Sequence, residues 1–105
     1  MKILALDAAT EACSAALLLD GEVTEHFEVI GRGHARRLLP MADELLQAAG
    51  RALGDMDGIA FGRGPGGFTG LRIAAGIAQG LAAGIGRPVL PVSNLAAVAA
   101  GASRE

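Results

Sequence analysis

The sequence has few aromatic residues, one cysteine and little net charge, and each of these features limits how the chain can fold or what it can bind. Aromatic residues make up 3% with no Trp or Tyr, so small residues, among them 16 glycines, must do much of the packing. The single cysteine, Cys13, excludes an internal disulfide and fits a reducing compartment. A formal net charge of -2 offers no basic surplus with which this chain alone could grip RNA or DNA.

Long apolar runs are missing as well. No run approaches the roughly 20 residues of a membrane span, and Asp7 interrupts the apolar start too early for a signal sequence. The chain does contain 51% apolar residues in a length of 105, which suits one compact domain with a real core. We therefore expect a single domain over 1–105, located in the cytoplasm.

Apolar runs and turn signals predict an α/β domain. KILALD predicts a buried strand, and Asp20-Gly21 joins the next two runs as a hairpin. From His34 to Ala49 apolar residues recur at helical spacing up to Gly50; with Pro40 inside, either the helix is kinked or its regular part starts there. The remaining predicted elements are the strand MDGIAFG, a helix Leu71–Ala83, the strand RPVLPV, and a helix Asn94–Ala100 capped by Ser93. This order predicts a mixed five-stranded sheet flanked by helices.

A glycine-rich loop, GRGPGGFTGLR at 62–72, has the G-x-G-x-x-G spacing of a nucleotide loop. However, Pro65 stiffens it and removes an amide donor, and no acidic residue follows to hold a ribose. A structural role accounts for more, because Pro65-Gly66 suits a type II turn and Thr69 suits the N-cap of the next helix. We therefore interpret Gly64, Pro65, Gly66 and Thr69 as a structural loop.

The helix after this loop is apolar nearly all round. Ile73 and Ile77 lie on one ridge, and Gly76 and Gly80 form a smooth groove beside it. Such a helix must be covered on more than one side, and its own sheet can cover only one. Either a partner helix packs on the groove, or the helix is enclosed within its own fold, or it is simply an Ala-rich helix that tolerates an apolar outer face. Arg72, in the first turn, opposes the helix dipole and so indicates a carboxylate partner or an intermolecular role.

Two further groups of polar residues have alternative interpretations. Asp7 and Thr10 follow the first strand, where actin-like ATPases orient magnesium, but they equally suit a simple cap at a strand-to-turn junction. A basic cluster at Arg32, His34, Arg36 and Arg37 is either a solvated surface or a docking site for an acidic partner. No metal site is predicted, since His26 and His34 lack further ligands.

Four stretches together resemble the bacterial TsaB (YeaZ) family: ILALDAATEACSAALLLDG, HARRLLPMADELL, AFGRGPGGFTGLRIAAGIAQGLA and PVSNLAAVA. The resemblance runs in order along essentially all of 1–105, and its Gly-Pro-Gly-x-Phe-Thr-Gly-x-Arg core is specific. Gly67 departs from the family, which usually has Ser there. The resemblance implies an actin-like (ASKHA, ribonuclease-H-like) fold. It also implies that the chain is an N-terminal domain and that the family's usual second domain is absent from it.

The resemblance further implies a non-catalytic scaffold subunit of the machinery that forms N6-threonylcarbamoyladenosine at position 37 of tRNAs reading ANN codons. Such subunits pair with a catalytic TsaD-like subunit, and a TsaE-like ATPase docks on the pair. ATP and metal are then expected on the partners, no cofactor bound tightly by this chain, and tRNA contact only through the complex.

In the family, two helices form the pairing interface, which also serves homodimers. On this sequence they are His34–Ala49 and Leu71–Ala83, and the implied interface residues are Leu38, Met41, Leu45, Arg72, Ile73, Gly76, Ile77 and Gly80. Two other hypotheses stay open. One is an actin-like ATPase or phosphotransferase half-site that uses Asp7, Thr10 and the glycine-rich loop. The other is a free-standing dimeric domain without a catalytic partner.

Overall fold

The fold is one mixed sheet with helices packed on it, as predicted. The computed structural model describes residues 1–8, 12–30, 33–62 and 68–92. Its strands are β1 Lys2–Ala8, β2 Ala12–Leu19, β3 Glu22–Val29, β4 Gly58–Gly62 and β5 Val89–Val92, and its helices are α1 His34–Ala49 and α2 Phe68–Ile85. The strand order is β3-β2-β1-β4-β5. The first three strands are antiparallel, and β1, β4 and β5 are parallel.

Turn chemistry explains how the strands and helices begin and end. Asp20 and Gly21 both have positive φ, 50° and 96°, which is the conformation of the two-residue hairpin turn predicted between β2 and β3. Gly50, with φ 68°, ends α1 as predicted, and the Arg51 N–H donates to the Leu46 carbonyl over 2.9 Å. The helix α1 begins at His34, so Pro40 lies inside it rather than at its start.

The helix α2 is longer than its predicted range Leu71–Ala83, because it begins at Phe68 and ends at Ile85. Thr69 therefore lies within the first turn, and the prediction that it is the N-cap is wrong. The hydroxyl of Thr69 suits an N-cap, but the helical backbone already includes Phe68, the residue before it. Gly64, Pro65 and Gly66 of the predicted turn lie outside the described residues, as do Thr10, Ser93 and the predicted helix Asn94–Ala100.

Both described helices pack on the same face of the sheet. There the core joins leucines of β1 and β2 to the inner side of α1. The buried residues of α2 are all small, namely Ala74, Ala78 and Ala82, and the half-buried Ile73, Ile77, Leu81 and Ile85 pack beside them. We call the other side the far face; its buried residues are Ile3, Ala5, Ala16, Leu18 and Ala60. Because α2 meets the sheet through alanines, the helix lies close to β1 and β4. Within the described parts of the chain, neither helix has the length and hydropathy that a membrane crossing requires.

Two glycines in different surroundings give a first test of this packing. A Cβ on Gly62 would lie 2.8 Å from the carboxyl carbon of Asp7, whereas a Cβ on Gly76 would meet no atom within 4 Å. We expect Gly62→Ala to destabilise the fold by roughly 1–3 kcal/mol through overpacking. We expect Gly76→Ala to stabilise it by about 0.5–1 kcal/mol, since alanine favours a helix interior.

Urea denaturation followed by circular dichroism measures both effects. If the contact with Asp7 is the cause, Gly62→Ala costs less in an Asp7→Ala background. An equal cost in both backgrounds would show that the contact is unimportant.

Candidate partner-binding surface

The outer side of α2 presents most of the residues predicted to bind a partner. Arg72, Gly76 and Gly80 are exposed, and Ile73 and Ile77 are half-buried against the core. A Cβ on Gly76 or Gly80 would meet no atom within 4 Å. These two glycines are therefore not required by packing inside the chain, and the surface beside them is open to a second helix.

The three α1 residues predicted for the same interface lie elsewhere. Leu38 and Met41 are 0% exposed and Leu45 is 8% exposed, all within the core beneath the helix. Their assignment to the partner surface is therefore wrong, because the apolar periodicity that made α1 amphipathic marks the side that faces the sheet. The exposed apolar residue of this helix is Leu39, with 48% of its surface exposed. Its position one residue beyond the buried stripe was the signal that could have identified it.

A cavity of about 440 Å³ is lined by residues of both helices. Its walls include Leu39, Pro40, Asp43 and Leu46 of α1, Leu53 of a 3₁₀ turn (Leu53–Asp55), and Leu81 of α2. All but Asp43 are apolar, so the cavity suits an apolar side chain. The Gln47 amide donates to the Asp43 carboxylate over 2.9 Å, which holds this acidic group at the cavity wall.

The opposite flank of α1 is tied to the edge strand by charge. Arg37 donates from Nε to Glu28 of β3 over 2.8 Å and from Nη1 to Glu44 over 2.8 Å, and His26 lies 2.6 Å from Glu28. Hydrogen bonds from Arg37 and then from His26 lower the pKa of Glu28 to about 2. Arg37, one residue of the predicted basic cluster, thus forms ion pairs within the chain, with Glu28 on β3 and Glu44 on α1. Ion pairs that are only partly buried contribute little stability, so the main effect of the Arg37–Glu28 pair is to orient β3 against α1.

Asp7 lies at the carboxyl end of β1, beside the carboxyl end of the parallel strand β4. Crevices at such strand ends are where open α/β sheets bind ligands. The side chain is half-buried, and this burial raises the pKa of Asp7. A hydrogen bond to the backbone of Ala8 lowers the pKa in opposition, and the nearby charge of Glu25 raises it further. Thr10, the second residue of the predicted phosphate site, lies outside the described residues, so the structure does not show the two together.

Metal coordination has no candidate in the described ranges, where no three His, Cys, Asp or Glu side chains come together as a ligand set. Cys13 is buried in the core, and burial is the main cause that raises its thiol pKa.

The environment of Asp7 predicts a pH-dependent stability. Because the folded-state pKa is raised, the folded chain binds the proton more tightly than the unfolded chain, and this contribution is lost as pH rises through the folded pKa. Asp7→Asn should therefore raise the thermal midpoint at pH 7, and the gain should shrink at pH values below the ordinary aspartate range. The exposed Glu22→Gln serves as the control for loss of one negative charge. A fall in the midpoint of Asp7→Asn at pH 7 would contradict this electrostatic account.

The chain is similar in sequence to known proteins. Residues 26–105 match the family model described as TsaD, tRNA N6-adenosine threonylcarbamoyltransferase. The tRNA threonylcarbamoyladenosine biosynthesis protein TsaB of Haemophilus influenzae is 57% identical over 99 residues, which cover 94% of this chain and 42% of that protein. The Escherichia coli protein of the same name is 53% identical over 105 residues, 100% of this chain and 46% of the relative.

The fold is also similar to that of a solved structure. YeaZ from Pseudomonas aeruginosa superposes with a TM-score of 0.83 at 60% identity, over 99% of this chain and 49% of the other. The chain thus spans about half the length of the relatives that it matches. This likeness fits the actin-like ASKHA fold implied by the resemblance. The chain therefore matches the TsaD family model and belongs to the TsaB (YeaZ) family.

Proposed function

We propose that this chain is a non-catalytic scaffold subunit in the formation of N6-threonylcarbamoyladenosine at position 37 of tRNAs reading ANN codons. In this role it pairs with a catalytic TsaD-like subunit in the cytoplasm, and a TsaE-like ATPase docks on the pair. ATP and metal are bound by the partners, and tRNA is reached through the complex. The names of the H. influenzae and E. coli relatives, both biosynthesis proteins for threonylcarbamoyladenosine, support the pathway.

The main support for this proposed pairing is the open outer side of α2. At Gly76 and Gly80 the surface is open, since a Cβ on either would meet no atom within 4 Å, and the half-buried Ile73 and Ile77 lie on the same helix. Glycines in a helix cost stability unless close approach requires them. A helix of a partner can approach such a surface to backbone contact, and the apolar cavity beside Leu39 can accept one of its side chains.

The likeness to TsaD supports the choice of partner. Since the TsaD family model matches residues 26–105, a TsaD-like protein carries counterparts of α1 and α2. Two related subunits can then pair as two identical ones would, each placing the same helices against the other across an approximate twofold axis. The same geometry makes a homodimer possible when the partner is lacking.

Gly80→Leu tests this interface. The side chain points into open space, so the variant folds, yet the leucine prevents close approach by overpacking of about 1–3 kcal/mol. In sedimentation velocity with a TsaD-like protein we expect binding to weaken at least about tenfold, which corresponds to roughly 1.4 kcal/mol.

Thr24→Leu, an equally apolar substitution at an exposed site on β3, is the matched control and should bind as the parent chain does. If Gly80→Leu binds the TsaD-like protein as tightly as the parent chain does, α2 is not part of the interface.

A second candidate function, an actin-like ATPase or phosphotransferase half-site, is favoured by one observation. Asp7 is a half-buried carboxyl with a raised pKa at the carboxyl end of a central strand, a setting in which functional carboxylates are found. Calorimetry with ATP and magnesium tests it. Tight binding that Asp7→Asn abolishes would support the half-site, whereas no heat of binding would remove it.

A further inference from the structure

The edge strand β3 exposes three large apolar side chains on one face of the sheet. Val29 is 70% exposed, Phe27 is 62% exposed and Val23 is 45% exposed. Residues opposite one another in adjacent strands share a face, and here the opposite pairs are Val23 with Leu18, Phe27 with Ser14, and Val29 with Ala12. Because Leu18 belongs to the buried cluster of the far face, all three exposed side chains also lie on the far face. We call Val23, Phe27 and Val29 the far-face patch.

The far-face patch adjoins an apolar surface that is buried on the neighbouring strand β2. Ala16 and Leu18 of the neighbouring strand are 3% and 2% exposed, so the sheet passes from buried to open within one strand spacing. The helices α1 and α2 lie on the other face and leave β3 uncovered on this side. Contiguous exposed apolar side chains beside a covered core mark a surface that another segment packs against.

Two carboxylates make this surface acidic. Glu25 lies between Val23 and Phe27 on the same face, opposite Ala16. Asp7 lies two strands away, opposite Ser14, and the charge of Glu25 contributes to its raised pKa. An occupant that matches this surface is apolar and carries a lysine or arginine opposite Glu25. A second copy packed far face to far face would instead bring like carboxylates together, which is unfavourable.

We infer that the far-face patch is the docking surface for the half of a TsaB-family chain that lies outside these 105 residues, through an apolar segment with a basic side chain directed at Glu25. The length of the relatives supports this occupant. The E. coli protein matches this chain over 105 residues that make up only 46% of it, and the P. aeruginosa structure matches over 49% of its length. The inference concerns a different surface from the α2 face and does not depend on pairing with TsaD.

The test compares one position in two proteins by thiol labelling with a maleimide. The first protein is this chain, and the second is the E. coli relative with its 105 matching residues replaced by those of this chain. Phe27→Cys should label rapidly in the chain alone. In the full-length chimera it should label at least about tenfold more slowly, because reaction then requires local opening.

Thr24→Cys is the matched control, since it is exposed on the same strand but faces the other side of the sheet. It should label rapidly in both proteins, and the parent chain with its buried Cys13 gives the background rate. If both cysteines label rapidly because the chimera fails to fold, the same two substitutions are made at the aligned positions of the E. coli protein. Rapid labelling at position 27 in a folded full-length chain overturns the inference. Slow labelling in the isolated chain that depends on its concentration also overturns it, because a second copy then covers the patch.

Glu25→Lys separates a charged contact from simple coverage. In the chimera it should increase the labelling rate at position 27, since two cations then face each other. Because a lysine beside the thiol also increases its thiolate fraction, the quantity compared is the labelling rate in the chimera divided by the rate in the isolated chain, and Glu25→Lys should raise this ratio. An unchanged ratio would overturn the proposal of a basic side chain opposite Glu25.

Discussion

The close approach of α2 to the sheet through Ala74, Ala78 and Ala82 is the contact from which the rest of the surface follows. Small side chains bring the helix near β1 and β4, and the larger Ile73 and Ile77 then pack half-buried against the core. Gly76 and Gly80 are exposed on the outer side, where a Cβ on either would meet no atom within 4 Å. A helix packed by alanine on its inner side and lined by glycine outside is thin enough for another helix to approach closely.

Much of the fold could be predicted from short-range signals. The Asp20-Gly21 turn and Gly50 have the positive φ values that their residue types favour, and the range His34–Ala49 matches the helix. What the sequence could not decide was which apolar residues of α1 face inward. Leu38, Met41 and Leu45 carry the same apolar signal for a core and for an interface, and only their position over the sheet distinguishes the two. The start of α2 was misplaced for a similar reason, since Thr69 suits a cap by type but lies inside the helix.

The remaining features depend on pairs of residues far apart in sequence. The contact of Gly62 with Asp7 joins two parallel strands, and the contact of Arg37 with Glu28 joins a helix to an edge strand. Neither leaves a periodic pattern in the chain. The far-face patch is also a consequence of register, because Val23, Phe27 and Val29 share the face of Leu18 only in the pairing observed. The same protein therefore has two separate surfaces, one on the helices, which we propose for a partner subunit, and one on the far face.

The central claim is that the outer side of α1 and α2 binds a TsaD-like protein. Amide hydrogen exchange of this chain with and without such a protein tests it most directly, because exchange is slowed where binding covers and rigidifies the backbone. The account predicts slower exchange in 34–49 and 68–85 on addition of the partner, with β3 unchanged. Protection confined to β3, or no protection anywhere, would contradict it.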